Sequence, residues 1–133
     1  MVDDAEKERV NQAVSTAETF SKLYYNKLDK ERHTVEKMYH ENATLVWNGN
    51  AVDGVVNIQK FLIEKIPKSS TFVQSLDAQP VLGCAVSGQT SVLVNVAGTV
   101  KYGVNRPVDF QQNFLLTAKD SKWKVVTDTF RSQ

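Results

Sequence analysis

Three tyrosines and one aspartate are the candidates for acid–base chemistry in this sequence. The tyrosines Tyr24, Tyr25 and Tyr39 lie in the helical first third of the chain, and Asp128 lies in the last predicted strand. Strand alternation predicts that Asp128 points inward, where a carboxyl group beside a tyrosine can act as an acid or base. A purely structural hydrogen bond between Asp128 and one of the tyrosines would equally explain why these residue types occur here. We favour this structural interpretation because no convergent acid–base set accompanies Asp128.

Cysteine and histidine are too sparse for a metal site or a disulfide. Cys84 is the single cysteine, and His33 and His40 lie far from it without the spacing of metal ligands. The N terminus is acidic, unlike a signal peptide, and no long apolar segment follows. We therefore expect no metal, no cofactor and no membrane partner, and a reducing cytoplasm or nucleoplasm as the environment.

The charge balance argues against direct nucleic-acid binding. The 133 residues include 16 Lys and Arg and 15 Asp and Glu, which gives a formal net charge of +1. A free-standing nucleic-acid binder needs a basic patch that neutralises phosphates. Here the basic residues lie mostly among acidic ones, as solvated helix surfaces do. We expect no direct nucleic-acid partner.

Hydrophobic periodicity predicts three helices before the main sheet. The first helix carries an apolar stripe at helical spacing: Val10, Val14, Ala17, Phe20, Tyr24 and Leu28. Asp29 is predicted as the N-cap of a short second helix that includes Val35, Met38 and Tyr39. A short β-rich run, 44–47, ends at the turn 48–50. Helical spacing then returns at Val55, Ile58, Phe61 and Leu62, and Pro67 ends the third helix.

From Thr71 the apolar period changes to two, which predicts an antiparallel meander. Its strands are Thr71 to Val81, Gln89 to Lys101, Val108 to Ala118 and Trp123 to Arg131. The predicted turns are Ser87-Gly88, Gly103 to Pro107 and Asp120-Ser121. Helices followed by a meander indicate the α+β class. No linker interrupts the pattern, so we expect one domain over residues 1–133.

Alternation assigns the strand residues to two different faces. The side predicted to face the helices is bulky: Val92, Val94, Val96, Phe110, Gln112, Phe114 and Leu116. The other side mixes polar, small and apolar residues: Leu93, Asn95, Ala97, Gln111, Asn113, Leu115, Thr117 and Val125. Such a mixed face suits a surface that another protein covers, although a solvated sheet face with scattered apolar residues is the open alternative.

Several segments together resemble the nuclear transport factor 2-related export proteins. They are 44–52 (TLVWNGNAV), 78–81 (AQPV), 109–114 (DFQQNF) and 128–131 (DTFR). Their order, their spacing and the total length match over nearly the whole chain. The resemblance implies a cone-shaped nuclear transport factor 2-like fold, with three N-terminal helices packed on a curved antiparallel sheet.

The resemblance also implies a non-enzymatic function in messenger RNA export. Family members pair, sheet face against sheet face, with the similar domain of a large messenger RNA export receptor, which they stabilise. The heterodimer passes nuclear pores through transient contacts with phenylalanine-glycine repeats of nucleoporins. The expected location is therefore the nucleus, the nuclear envelope and its pores, with shuttling to the cytoplasm.

The resemblance assigns the partner interface to the mixed sheet face. Arg131 is expected to form a salt bridge with an acidic residue of the receptor, and alternation places Val125, Thr127 and Thr129 on the same side. Other expected interface residues are Asn113, Leu115, Gln111, Asn95 and Leu93. Asp77 and Gln79, which alternation places with Thr71 and Ser75, are expected to hydrogen-bond across the interface or to remain solvated at a sheet edge.

Two alternatives come from the same fold. The homodimeric import carrier for GDP-bound Ran needs acidic residues, but its acidic positions correspond here to Asn48 and to the turn 103–106. Its interface methionines correspond to Asn95, Asn113 and Thr129, which are polar groups that need partners when buried. Both departures favour the export subunit. Isomerases and dehydratases of this fold are the second alternative, and Asp128 is the residue that bears on it.

Overall fold

The helices and strands are positioned in a computed structural model that describes residues 4–81, 91–119 and 122–132. Cys84, Gln89 and the predicted turns at Ser87-Gly88 and Asp120-Ser121 lie outside the described residues. The helices are α1 (Asp4–Lys30), a 3₁₀ helix (Arg32–Met38) and α2 (Val55–Lys65). The strands are β1 (Tyr39–Trp47), β2 (Asn50–Asp53), β3 (Ser69–Val81), β4 (Ser91–Tyr102), β5 (Val108–Lys119) and β6 (Lys122–Ser132).

The buried stripe of α1 differs in part from the predicted one. Its buried residues are Ala13, Ala17, Phe20, Ser21, Tyr24, Tyr25 and Leu28. Val10 and Val14, which the apolar pattern included, are 40% and 37% exposed. Val14 lies about 100° around the helix from the buried Ala13, and Val10 precedes that first buried residue. The core-facing stripe therefore begins later than hydrophobicity alone indicates.

The predicted second helix is wrong in its start and its type. Asp29 is not an N-cap, because α1 continues through it to Lys30 and a 3₁₀ helix follows. The Asp29 carboxylate instead accepts hydrogen bonds from Ser69 Oγ at 2.5 Å and from the Thr71 backbone N–H at 2.8 Å. These partners from β3 outcompete a local cap and fix the end of α1 against the sheet. Tyr39, also assigned to that helix, begins β1.

The sheet has six strands in the order β2-β1-β6-β5-β4-β3. The predicted antiparallel meander is confirmed for β3 to β6. The expectation of a fully antiparallel sheet is wrong, because β1 pairs with β6 in parallel. No hairpin joins these two strands, so neighbouring sequence does not set their relative direction. The predicted turn at Asn48-Gly49 is a tight β1–β2 hairpin, with φ angles of 47° and 86° that suit this residue pair.

Two β-bulges invert the predicted alternation. In β3, the register shifts between Val73 and Ser75, so that Thr71 pairs with an inward residue and lies on the opposite face from Ser75. In β6, the register shifts so that Leu115 pairs with Thr127 and Leu116 pairs with Val125. Val125 is therefore fully buried. Its assignment to the partner face is wrong.

Thr117 is a further correction to the predicted outer face. It is 2% exposed and shares a hydrogen bond of 3.1 Å with the buried Ser91 on the neighbouring strand. A hydroxyl that is paired and buried in this way is not available to a partner protein.

Aromatic side chains fill the space between the sheet and the helices. The predicted inward position of Phe110 and Phe114 is confirmed, and Phe130 and Trp47 join them; all four are at most 5% exposed. The rings of Trp47 and Phe130 stack at a centroid distance of 3.7 Å, which joins β1 to β6 inside the cone. No helix in the described ranges is long and apolar enough to cross a membrane.

Candidate functional site

The face of β3–β6 that points away from the helices is here called the outer sheet face. It consists of three rows of cross-strand neighbours. In order from β3 to β6, the rows are Gln79, Leu93, Leu115 and Thr127; then Asp77, Asn95, Asn113 and Thr129; then Ser75, Ala97, Gln111 and Arg131. All ten predicted interface residues therefore lie on one continuous surface.

The middle row places two amides side by side at the centre of the face. Asn95 on β4 pairs directly with Asn113 on β5, and Thr129 follows on β6. Asn95 is half-buried, whereas Asn113 and Thr129 are exposed. The side chains of these three residues make no hydrogen bond within the part of the chain that the structure describes. They present donors and acceptors that a second molecule can satisfy.

Beside this polar row lies an apolar pair. Leu93 and Leu115 are cross-strand neighbours and both are partly exposed. Gln79 and Thr127 flank them and are exposed. Opposed apolar side chains next to polar ones give a face that can lose water at the leucine pair and can hydrogen-bond at its polar positions.

The third row ends in the one cation among the predicted interface residues. Arg131 pairs with Gln111 across β5–β6, is exposed, and has no ion-pair partner among residues 4–81, 91–119 and 122–132. It lines a surface depression of about 460 Å³ together with Gln111, Asp109 and Gly98. A guanidinium at the rim of a depression is placed to receive a carboxylate in a two-pronged contact.

Gly98 shapes the floor of this depression. A Cβ atom added at Gly98 would lie 2.1 Å from the Phe72 carbonyl oxygen on β3. The bulge of β3 thus approaches β4 closely because residue 98 has no side chain. Sequence alternation did not identify Gly98 or Asp109 as residues that line this depression.

Inside the cone, Asp128 joins the predicted tyrosines in a hydrogen-bond network. Its Oδ2 accepts from Tyr39 Oη at 2.6 Å and from Tyr24 Oη at 3.3 Å. Its Oδ1 accepts from Gln112 Nε2 at 2.7 Å, and Gln112 Oε1 accepts from Tyr25 Oη at 2.7 Å. All five residues are buried. The inward position of Asp128 and its bond to a helix tyrosine are confirmed, while the role of Gln112 was missed although an amide among bulky residues was a usable signal.

Burial controls the ionisation of this network. It raises the pKa of Asp128 to about 6, although hydrogen bonds from Tyr39, Gln112 and Tyr24 act in the opposite direction. Burial also raises the pKa of Tyr24 and of Tyr39 well above the usual value, and the nearby Asp128 carboxylate adds to this rise. The tyrosines therefore stay protonated and donate hydrogen bonds.

The cavity that Tyr25, Trp47 and Phe110 line inside the cone is too small for a substrate. It measures about 10 Å³, and neither Asp128 nor Tyr39 lines it. That volume corresponds to roughly one water molecule. Both oxygens of Asp128 are already occupied by protein donors. The described residues contain no group of three or more His, Cys, Asp and Glu side chains arranged to hold a metal ion.

Sequence comparison identifies a family and close relatives. The family model described as the nuclear transport factor 2 (NTF2) domain matches residues 16–132. NTF2-related export protein 1 from Bos taurus is 44% identical over 128 residues, which cover 93% of this chain and 91% of that protein. NTF2-related export protein 2 from Homo sapiens is also 44% identical, covering 93% of this chain and 89% of that protein.

Solved structures share the fold at lower identity. Nuclear transport factor 2 from Cryptosporidium parvum superposes with a TM-score of 0.80 at 20% identity, covering 94% of this chain and 95% of that one. The C. albicans Mtr2-Mex67 M domain complex gives a TM-score of 0.71 at 13% identity, covering 92% and 96%. These likenesses confirm the predicted cone-shaped fold, with the sheet corrected from antiparallel to mixed.

Proposed function

This chain belongs to the nuclear transport factor 2 domain family, and from that premise we propose that it is a non-enzymatic subunit for messenger RNA export. In this proposal the outer sheet face pairs with the similar domain of a large messenger RNA export receptor. The names of its relatives, NTF2-related export proteins, support a transport function. The complex of Mtr2 with the Mex67 M domain supports heterodimer formation as the mode of assembly.

The observation that carries the proposal is the composition of the centre of the outer sheet face. Asn95, Asn113 and Thr129 have no side-chain hydrogen bond within the described chain, and Leu93 and Leu115 lie beside them. Burying these amides costs free energy unless the partner supplies matching donors and acceptors. A heterologous partner can carry a complementary set. The face is therefore suited to one selected partner.

Arg131 is proposed to fix the register of the two domains. Its guanidinium lies at the end of β6 beside a depression and faces no ion-pair partner in the described chain. An acidic residue of the receptor would satisfy it with a charge-assisted hydrogen bond. If the pair is desolvated on binding, removing the arginine leaves the partner's carboxylate buried and unpaired, with a loss of about 2–5 kcal/mol.

Self-association of the import-carrier type is disfavoured by the same residues. A symmetric dimer through this face would bury the Asn95 and Asn113 amides against a copy of the same surface, so the face would have to supply every matching donor and acceptor itself. Amides bury favourably only when donors meet acceptors. We accordingly propose a chain that needs a different partner.

Transport follows from the complex in this proposal. The heterodimer would pass nuclear pores through phenylalanine-glycine repeats of nucleoporins, and the subunit would shuttle between nucleus and cytoplasm. A catalytic function receives no support from Asp128, because protein donors already bind both of its carboxylate oxygens.

The proposal is tested by calorimetric titration of this chain with the transport-factor-like domain of an export receptor. Arg131→Ala should weaken binding by about thirtyfold or more, which corresponds to at least 2 kcal/mol. Arg106→Ala is the matched control, because Arg106 is an exposed arginine in the β4–β5 loop and belongs to none of the three rows of the outer sheet face. The proposal fails if the native chain does not bind the domain, or if both variants bind as the native chain does.

A further inference from the structure

A second surface feature lies away from the outer sheet face. It is a groove of about 510 Å³ between α1, the 3₁₀ helix and the start of β6, and we call it the lysine groove. Its lining residues are Ser15, Thr16, Thr19, Phe20, Leu23, Lys27, Lys37, Met38, Lys122, Trp123 and Lys124. None of them belongs to the outer sheet face. A partner in this groove would leave that face free.

The floor of the groove is apolar and partly open to solvent. Phe20 and Met38 are anchored in the core at 5% and 6% exposure. Leu23 is 48% exposed, and Trp123 is partly buried against the core. Phe20 and Met38 join the floor to the core, while Leu23 and Trp123 offer surface that a ligand can cover. Covering such surface is favourable in proportion to its apolar area.

The rim of the groove is uniformly basic. Four lysines line it, and no lining residue is acidic, although the whole chain has a formal net charge of only +1. Lys27 Nζ donates a hydrogen bond to Thr34 Oγ1 at 3.2 Å. Lys37, Lys122 and Lys124 have no hydrogen bond or ion pair within the described ranges. The positive potential is therefore available to an incoming anion.

We infer that the lysine groove binds an acidic protein segment that carries bulky apolar side chains. The apolar side chains would cover Leu23 and Trp123, and the carboxylates would pair with the lysines at the rim. The groove follows α1 from Ser15 to Lys27, a length of about 18 Å. An extended peptide of about five or six residues spans that distance.

A nucleic acid fits these features less well than an acidic peptide. Phosphates gain nothing from an apolar floor, and base stacking needs an aromatic platform that is broadly exposed. Phe20 is buried, and Trp123 is only partly exposed. The combination of an aliphatic and aromatic floor with separate lysines matches side chains that alternate between apolar and acidic.

The test measures fluorescence anisotropy of a labelled peptide of about six residues that alternates Glu with Leu and Phe. The full chain should bind this probe, and binding should weaken as salt is added. One control peptide replaces each Glu by Gln, and a second replaces each Leu and Phe by Ser. Both should bind at least about tenfold more weakly, because each removes one of the two forms of complementarity.

Charge reversal within the protein locates the site. Lys37→Glu combined with Lys124→Glu should weaken binding of the acidic peptide by about tenfold or more. Lys60→Glu combined with Lys65→Glu is the matched control, since both residues are exposed on α2 and outside the groove. This control should bind the peptide as the native chain does.

The inference is overturned if the acidic peptide does not bind, or if its Gln version binds equally well. It is also overturned if both lysine double variants lose binding equally. Displacement of the peptide by oligouridylate at lower concentration than by unlabelled peptide would overturn it as well, because it would show that the groove prefers nucleic acid. Because the assay uses the chain without a receptor domain, failure here leaves the proposed export function to its own test.

Discussion

The buried Asp128 network makes a defined prediction about the pH dependence of stability. Burial raises the pKa of Asp128 to about 6, against an ordinary value of 3.8. Between these two pH values the folded chain holds a proton that the unfolded chain has released. Stability is therefore fully present below the unfolded pKa and declines as pH rises toward the folded pKa. A shift of about two pKa units corresponds to a loss of about 3 kcal/mol.

Asp128→Asn should abolish this decline, because the asparagine side chain has no proton to release. The hydrogen bonds can be kept. Once the Gln112 amide has rotated, the side-chain amide of the new asparagine donates to Gln112 Oε1, and Tyr25 Oη accepts from Gln112 Nε2. We expect the free energy of unfolding of the native chain to fall by about 2.4 kcal/mol, relative to the variant, between pH 4 and pH 7.

The assay is urea unfolding at several pH values, followed by tryptophan fluorescence. Every other titratable residue is present in both proteins, so its contribution cancels in the difference. Asp109→Asn, an exposed carboxylate changed in the same way, is the matched control and should keep the native pH dependence. Parallel curves for the native chain and Asp128→Asn would refute the argument, because they would show that burial does not perturb this carboxyl group.

Three further predictions concern packing and assembly. Arg32 donates hydrogen bonds to carbonyl oxygens at the ends of α1 and α2, so Arg32→Met should lower the free energy of unfolding by about 2 kcal/mol in urea; an unchanged midpoint would contradict this. Gly98→Ala places a Cβ 2.1 Å from the Phe72 carbonyl oxygen and should cost about 3 kcal/mol or more, measured in the same way; a stabilised variant would show that β3 and β4 can separate there. Asn95→Leu combined with Asn113→Leu should produce concentration-dependent dimers in sedimentation experiments, and a strict monomer would mean that the amides do not limit self-association.

The regular parts of this fold could be predicted from sequence because they depend on local pattern. The four strands β3–β6 follow from runs with a period of two, and the inward position of Phe110 and Phe114 follows from that period in a part of β5 that no bulge disturbs. The inward position of Asp128 followed from the same alternation, counted back from Phe130. Each of these predictions needed only neighbouring residues.

The errors occur where one residue or one distant contact changes the pattern. A bulge in β6 turned Val125 inward, and a bulge in β3 separated Thr71 from Ser75, because one extra residue exchanges the two faces. Asp29 has the sequence of an N-cap but bonds to Ser69, forty positions away. Tertiary contacts determine these side-chain positions and hydrogen-bond partners, and local sequence preferences do not predict them.

Alternation predicted the outer sheet face with two errors. It also assigned Thr117 and Val125 to that face, where the structure buries them, whereas the ten residues expected at the partner interface do lie on it. Their role in binding a receptor came from family resemblance and stays a prediction. The unpaired amides of Asn95 and Asn113 support this role, because their hydrogen-bond partners must come from another molecule or from water.

The most direct test of the central claim is light scattering after size exclusion, applied to this chain alone and then mixed with the transport-factor-like domain of an export receptor. The account predicts a monomer that becomes a one-to-one complex, which Arg131→Ala weakens. A stable homodimer that ignores the receptor domain would contradict it.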